Sequence, residues 1–76
     1  MKNKILRYKL MELHTAYVKH GQYEEAHIIL CLLRRGRVAL GLGDISWAVE
    51  RALEELGCVI SYSRRGYSAT AYAHTA

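Results

Sequence analysis

The sequence predicts a helix-rich α+β domain in which three helices precede a C-terminal β-hairpin, with a short third strand at residues 37–41. Two observations support this prediction. Apolar residues recur at helical spacing in three segments, and glycines separate those segments from one another. Because 76 residues are enough for one modest core, we expect residues 1–76 to form a single domain.

The first two helices are predicted from their apolar stripes and their ends. In residues 3–19, Leu6, Leu10, Leu13 and Tyr17 lie on one face, and Gly21 suits the left-handed position that follows a helix. Residues 22–35 have an acidic first turn and a basic last turn, which suits the helix dipole. This second helix is apolar nearly all round, so we expect it to be the centre of the core.

The third helix is predicted at residues 46–56, with Asp44 or Ser46 as its N-terminal cap. The hairpin follows, with strands at residues 58–63 and 67–73 and a three-residue loop, Arg64-Arg65-Gly66. That loop length pairs Ser63 with Tyr67, Ile60 with Thr70 and Cys58 with Tyr72. The segment between Gly36 and Ser46 is too short for a further full helix and predicts a strand followed by a helical turn.

The charge of the chain is +4 and is unevenly placed, with +5 in residues 1–37, −3 in residues 38–57 and +2 in residues 58–76. A basic surface favours acidic partners, of which nucleic acid is the commonest. The two cysteines are too few for a secreted disulfide scaffold, and no apolar run is long enough to span a membrane. We therefore expect a cytoplasmic protein that is not associated with membranes.

Two consecutive stretches stand out in the second half of the chain, namely Asp44–Ile60, DISWAVERALEELGCVI, and the stretch SYSRRGY that follows it. On these two stretches, residues 27–72 resemble the core of a winged-helix DNA-binding domain. A capped recognition helix in that family ends with leucines and a glycine, and a strand then leads into a basic wing. The resemblance implies that Ser46, Trp47, Glu50 and Arg51 face the major groove, and that Arg64 and Arg65 lie on the wing near phosphates or the minor groove.

The function predicted on this basis is regulation of transcription or of a mobile element, in a phage or plasmid protein that binds double-stranded DNA as a homodimer. Residues 21–73 would form the winged-helix-like core, and the helix within residues 1–20 would be the dimerisation element. Ser46, Trp47 and Arg51 would approach bases, and Arg64 and Arg65 would contact phosphates. Further electrostatic attraction would come from Lys2, Lys4, Arg7 and Lys9.

The alternative is a protein-binding inhibitor or adaptor, also of phage or plasmid type, that makes no contact with DNA. The third helix exposes three glutamates, Glu50, Glu54 and Glu55, against the single Arg51. Carboxylates repel phosphates, so this face would suit a basic partner instead. Trp47 fits either a half-buried core position or an interface anchor, and Tyr62, Tyr67 and Tyr72 could stack on bases or fill a protein interface.

Catalysis and cofactor binding are not predicted. No serine stands in a nucleophile-elbow context, and the neighbouring glutamates in Glu24-Glu25 and Glu54-Glu55 point apart on a helix. His27 and Cys31 have the spacing of two metal ligands, but a closed zinc site needs about four. We expect both residues to have ordinary packing roles, with Cys31 buried.

Overall fold

The structure is a computed structural model that describes the backbone of residues 2–71 and the side chains of residues 4–71. Its elements are α1 (Lys2–Lys19), α2 (Tyr23–Arg35), β1 (Arg37–Gly41), α3 (Asp44–Leu56), β2 (Val59–Ser63) and β3 (Gly66–Thr70). The predicted helix-rich α+β class is confirmed, including the short strand at residues 37–41. Within residues 2–71, no helix has both the length and the apolar character needed to cross a membrane.

The start of α3 differs from the prediction. The helix begins at Asp44, its N-terminal cap is Gly43, and no side chain makes a capping hydrogen bond. The Trp47 N–H donates to the Gly43 carbonyl at 3.0 Å, which closes the first turn. Because the chain turns at Gly43, both residues predicted as caps, Asp44 and Ser46, lie inside the helix. The Asp44 carboxylate instead lies in the first turn, where the helix dipole favours it.

The three strands form one antiparallel sheet in the order β1-β3-β2, so β3 is the central strand. The register of the hairpin corrects the prediction by one residue, because Ser63 pairs with Gly66, Tyr62 with Tyr67 and Ile60 with Ala69. The turn therefore has two residues, Arg64 and Arg65. Gly66 belongs to β3 and not to the loop. β3 ends at Thr70, before the predicted strand end at residue 73. The predicted partner of Cys58, Tyr72, lies outside the described residues.

The physical reason for this register is the close approach of β1 and β3 at Gly66. Gly66 pairs with Gly41 of β1 and has a φ of 140°, which L side chains rarely adopt. A one-residue shift in a strand moves every side chain to the other face of the sheet. Tyr67 and Ala69 are therefore buried, whereas Ser68 is exposed on the opposite face.

The core lies between the three helices and one face of the sheet. α2 contacts α1, α3 and β1, as expected of a central helix, but only one of its faces is fully buried. Cys31, which we expected to be buried, is partly exposed on another side of α2. The fully buried apolar side chains of the core include Leu10, Ile29, Leu32, Val49, Leu53 and Tyr67.

Replacing Gly66 with alanine should destabilise the fold strongly. A Cβ at this position would meet the Leu40 carbonyl oxygen and lie 2.8 Å from the Gly41 Cα, and both atoms belong to the backbone. Backbone strain and overpacking together should lower the free energy of unfolding by about 3 kcal/mol or more. Urea denaturation measures this loss.

Gly21→Ala is the matched control for this substitution. Gly21 also has a positive φ, 75°, but no atom lies within 4 Å of the position that a Cβ would occupy. Gly21→Ala should therefore lower the free energy of unfolding by only about 1–2 kcal/mol. Equal losses for the two variants would contradict the close approach of β1 and β3 at Gly66.

Candidate functional site

Three aromatic side chains connect α3 to the sheet. Trp47 of α3 stacks on Tyr62 of β2 with ring centroids 6.4 Å apart, and it lies 5.6 Å from the ring of Tyr67 on β3. These distances are typical of attractive aromatic pairs. Tyr67 is 2% exposed, Trp47 37% and Tyr62 60%, so the cluster extends from the core to the surface.

The buried ring of this cluster, that of Tyr67, is held in place by a hydrogen bond to α3. The Tyr67 hydroxyl donates to the backbone carbonyl of Ser46 at 2.6 Å. Burial, followed by the nearby charge of Glu50, raises the pKa of Tyr67 well above its ordinary value. The hydroxyl therefore stays protonated and can act as a donor throughout the physiological pH range.

The most exposed member of the cluster, Tyr62, connects β2 to two carboxylates of α3. The Tyr62 hydroxyl donates to Glu50 Oε1 at 2.5 Å and lies 3.5 Å from Glu54 Oε2. The hydrogen bond from Tyr62 lowers the pKa of Glu50, and the hydrogen bond and charge of Glu50 raise the pKa of Glu54. The bond to Glu50 also raises the pKa of Tyr62 to about 12. Because its own pKa is lowered, Glu50 is ionised at neutral pH.

These side chains form one surface, which we call the α3–β2 face and define as Trp47, Glu50, Glu54 and Tyr62. Beside it, a shallow groove on the outer side of α3 is lined by Glu50, Arg51, Glu54 and Glu55. Three carboxylates and one guanidinium give this groove a net negative charge. An aromatic ring surface next to carboxylates can hold a cation by cation–π and charge interactions together.

The residues predicted to approach bases have different environments in the structure. Ser46 is half-buried and its carbonyl accepts the Tyr67 hydrogen bond. Trp47 belongs to the aromatic cluster, while Arg51 is exposed among glutamates in the α3 groove. The base contacts predicted for these residues stay predictions.

The residues predicted to contact phosphates are spread over several elements. Arg64 and Arg65 are exposed in the turn between β2 and β3, next to Gly41 at the end of β1. Lys4, Arg7 and Lys9 are exposed on α1, and the side chain of Lys2 lies outside the described residues. A further basic group, Arg34, Arg35 and Arg37, lies at the opposite end of the sheet, because Arg37 pairs with Thr70 and Gly41 with Gly66.

One helix, α3, lies between β1 and β2 in the described part of the chain. β1 separates it from α2, whereas the two helices of a helix-turn-helix are joined by a turn of about three or four residues. α2 and α3 therefore do not form a continuous helix-turn-helix unit. The strand predicted between Gly36 and Ser46 is present, and the helical turn after it is the first turn of α3.

His27 and Cys31 are neighbours on α2, with the Cys31 Sγ 3.6 Å from the His27 Nε2. A closed metal site needs further ligands. Within the part of the chain that the structure describes, no group of three or more His, Cys, Asp or Glu side chains could hold a metal ion. The pair therefore gives no basis for a metal centre.

The link between Tyr62 and Glu50 was not predicted from the sequence. In the predicted register Tyr62 shares a face with Ser68 and Thr70, so its position over α3 beside Tyr67 was not foreseen. No local signal marks the shorter turn, because Arg64-Arg65 lacks the Gly, Asn or Asp that favours two-residue hairpin turns.

Comparison of this chain with protein-family models, with curated proteins and with solved structures finds no significant match. The interpretation of the α3–β2 face therefore rests on its own geometry.

Substituting Glu50 with glutamine should lower the pKa of Tyr62 from about 12 towards its ordinary value of 10.0, because the hydrogen bond to a carboxylate is the largest cause of the shift. The reciprocal variant, Tyr62→Phe, should raise the pKa of Glu50. NMR titration of the Tyr62 ring carbon and the Glu50 carboxyl carbon measures both changes. Glu24→Gln on α2 is the matched control and should change neither pKa. A Tyr62 pKa that is unchanged in Glu50→Gln would contradict the hydrogen bond.

Proposed function

We propose that this chain is a protein-binding module whose α3–β2 face binds a basic, arginine- or lysine-rich segment of a partner protein. The observation that carries this proposal is the connection of Tyr62 to Glu50 and Glu54, which fixes two carboxylates beside exposed aromatic rings. The proposal corresponds to the inhibitor or adaptor alternative predicted from the sequence. It needs no catalytic group and no cofactor.

The physical basis is a cation site with two complementary parts. A guanidinium or ammonium group over Trp47 or Tyr62 gains cation–π attraction, and its hydrogen-bond donors can reach the neighbouring carboxylates. The lowered pKa of Glu50 keeps this carboxylate charged at neutral pH. Tryptophan and tyrosine are also enriched among the residues that dominate binding energies at protein interfaces.

The same charges disfavour a DNA contact through the outer side of α3. Phosphate attraction supplies most of the affinity of proteins for DNA, and three glutamates against one arginine repel phosphates. Binding to double-stranded DNA, the function predicted from the winged-helix resemblance, is nevertheless a second candidate. The observation that favours it is the exposure of Arg64 and Arg65, which lie side by side at the tip of a tight hairpin. On this proposal the hairpin tip contacts phosphates and α3 does not lie in the groove.

The first test is titration of the protein with a fluorescent arginine-rich peptide, followed by anisotropy. Exposed charge pairs and cation–π contacts each change an affinity by up to about fivefold. The double variant Glu50→Gln/Glu54→Gln should therefore bind about tenfold more weakly, and Trp47→Ala up to about fivefold more weakly. The double variant Glu24→Gln/Glu25→Gln removes the same charge from α2 and should bind like the wild type. Equal losses in the two double variants would indicate attraction by net charge alone and would contradict the proposed site.

The same titration with mixed-sequence duplex DNA, at about 50 and 200 mM salt, separates the second candidate from the first. Contact with several phosphates would make the affinity fall steeply between these salt concentrations. If DNA binds in this way and Arg64→Ala/Arg65→Ala abolishes it, the hairpin tip is a DNA-binding element. If duplex DNA does not bind at the lower salt concentration, the DNA proposal is wrong for mixed sequence.

A further inference from the structure

α1 has an exposed apolar stripe that does not pack on its own domain. Leu10 on the core face is completely buried, and Leu6, Leu13 and Tyr17 pack beside it. On the opposite side Tyr8 is 61% exposed, Met11 48% and Val18 40%. With Lys4 and Thr15 these residues form what we call the outer stripe, defined as Lys4, Tyr8, Met11, Thr15 and Val18.

The spacing of the outer stripe is that of a coiled-coil seam. Its members follow one another at intervals of four and three residues, which is the spacing of the a and d positions of a heptad. Tyr8 and Met11 project as a ridge that is bordered by two shallow grooves. Lys4 and Arg7 contribute to one groove, and Glu12, Thr15 and Ala16 contribute to the other. A ridge between grooves is the shape that a second helix of the same kind can pack against.

The charges on the two flanks of the outer stripe are complementary to those of a second copy of α1. At about 100° per residue, Arg7 lies on one side of the stripe and Glu12, the only acidic residue of α1, lies on the other. In a parallel two-fold pair of identical helices, each flank faces the opposite flank of the second copy. Residue 7 of one copy then lies beside residue 12 of the other, the g-to-e′ arrangement that carries interhelical ion pairs.

We propose that the outer stripe is the interface of a parallel homodimer, in which two α1 helices pack through Tyr8, Met11, Thr15 and Val18. Arg7 of each copy forms an ion pair with Glu12 of the other. An antiparallel pair would place like flanks together. Glu12 could then face Lys19 of the second copy, but Arg7 would face the second copy's Arg7 and His14 without an acidic partner. Lys4 begins the stripe at the end of the helix, where its ammonium can extend into solvent.

A second copy also meets the stability requirement of a small chain. Domains of this size bury only about 60% of their unfolded surface, and oligomerisation is one of the usual means of adding buried apolar area. Because the outer stripe lies opposite the core face of α1, the dimer covers it without disturbing the packing of α1 on α2. The inference is independent of what the α3–β2 face binds.

The test is charge reversal across the proposed interface, with the dimerisation constant measured by analytical ultracentrifugation. Arg7→Glu and Glu12→Arg should each weaken the dimer about tenfold, since each converts two symmetric ion pairs into repulsions. The double variant Arg7→Glu/Glu12→Arg restores opposite charges and should recover most of the wild-type constant. Lys9→Glu makes the same charge change as Arg7→Glu, but away from the outer stripe and both of its flanks, and should leave the constant unchanged.

Two outcomes would overturn the proposal. One is a wild-type chain that stays monomeric up to about 1 mM. The other is a dimer in which the double variant is no tighter than the two single variants, because the ion pairs then do not join residues 7 and 12. The far-UV circular dichroism and urea midpoint of each variant verify that it is folded. These substituted side chains are exposed, so all the variants should pass this check.

Discussion

The arrangement of this domain depends on Tyr67. Its ring is buried on the central strand, and its hydroxyl donates to the Ser46 carbonyl in the first turns of α3. A buried hydroxyl without a partner would cost about 1–3 kcal/mol, so the depth of the ring and the position of α3 constrain each other. Trp47 and Tyr62 then pack around this fixed ring and extend the contact to the surface.

The α3–β2 face follows from this constraint. Since Tyr62 pairs with Tyr67 across β2 and β3, the two rings lie side by side on the face of the sheet that α3 covers. Tyr62 is nearer the open side, which brings its hydroxyl to Glu50 and Glu54 on the outer side of the helix. The buried half of the cluster therefore positions the exposed half. The carboxylates of α3 obtain a fixed neighbour that an isolated helix would not provide.

The element order was predictable because glycines and apolar periodicity report on local structure. Gly36 and Gly57 both adopt left-handed conformations directly after helices, as the sequence pattern indicated. The strand at residues 37–41 was predicted with the bounds that the structure gives. The hairpin register was not predictable in this way, because it depends on the pairing of Gly66 with Gly41 of β1, a contact between residues distant in sequence. Because of this one-residue difference in register, the burial of Tyr67 against α3 was not predicted.

The functional prediction had the same limit. The sequence showed that α3 exposes three glutamates, but which groups would face them depended on the hairpin register. Arg64 and Arg65 lie in the hairpin turn, as expected, at one end of the sheet, whereas Arg34, Arg35 and Arg37 lie at the other end. Two glutamates of α3, Glu50 and Glu54, instead lie next to Tyr62, which packs on Trp47. The choice between the two proposed functions therefore depends on the positions of the charged side chains and not on their number.

The measurement that tests the role of Tyr67 most directly is the free energy of unfolding of Tyr67→Phe, from urea denaturation. The substitution keeps the ring and removes only the hydroxyl that binds the Ser46 carbonyl, so we expect a loss of about 0.5–1.5 kcal/mol. Tyr23→Phe, at a tyrosine that is 68% exposed, is the control and should leave stability unchanged. Equal stability of Tyr67→Phe and the wild type would contradict the claim that this hydrogen bond holds α3 on the sheet.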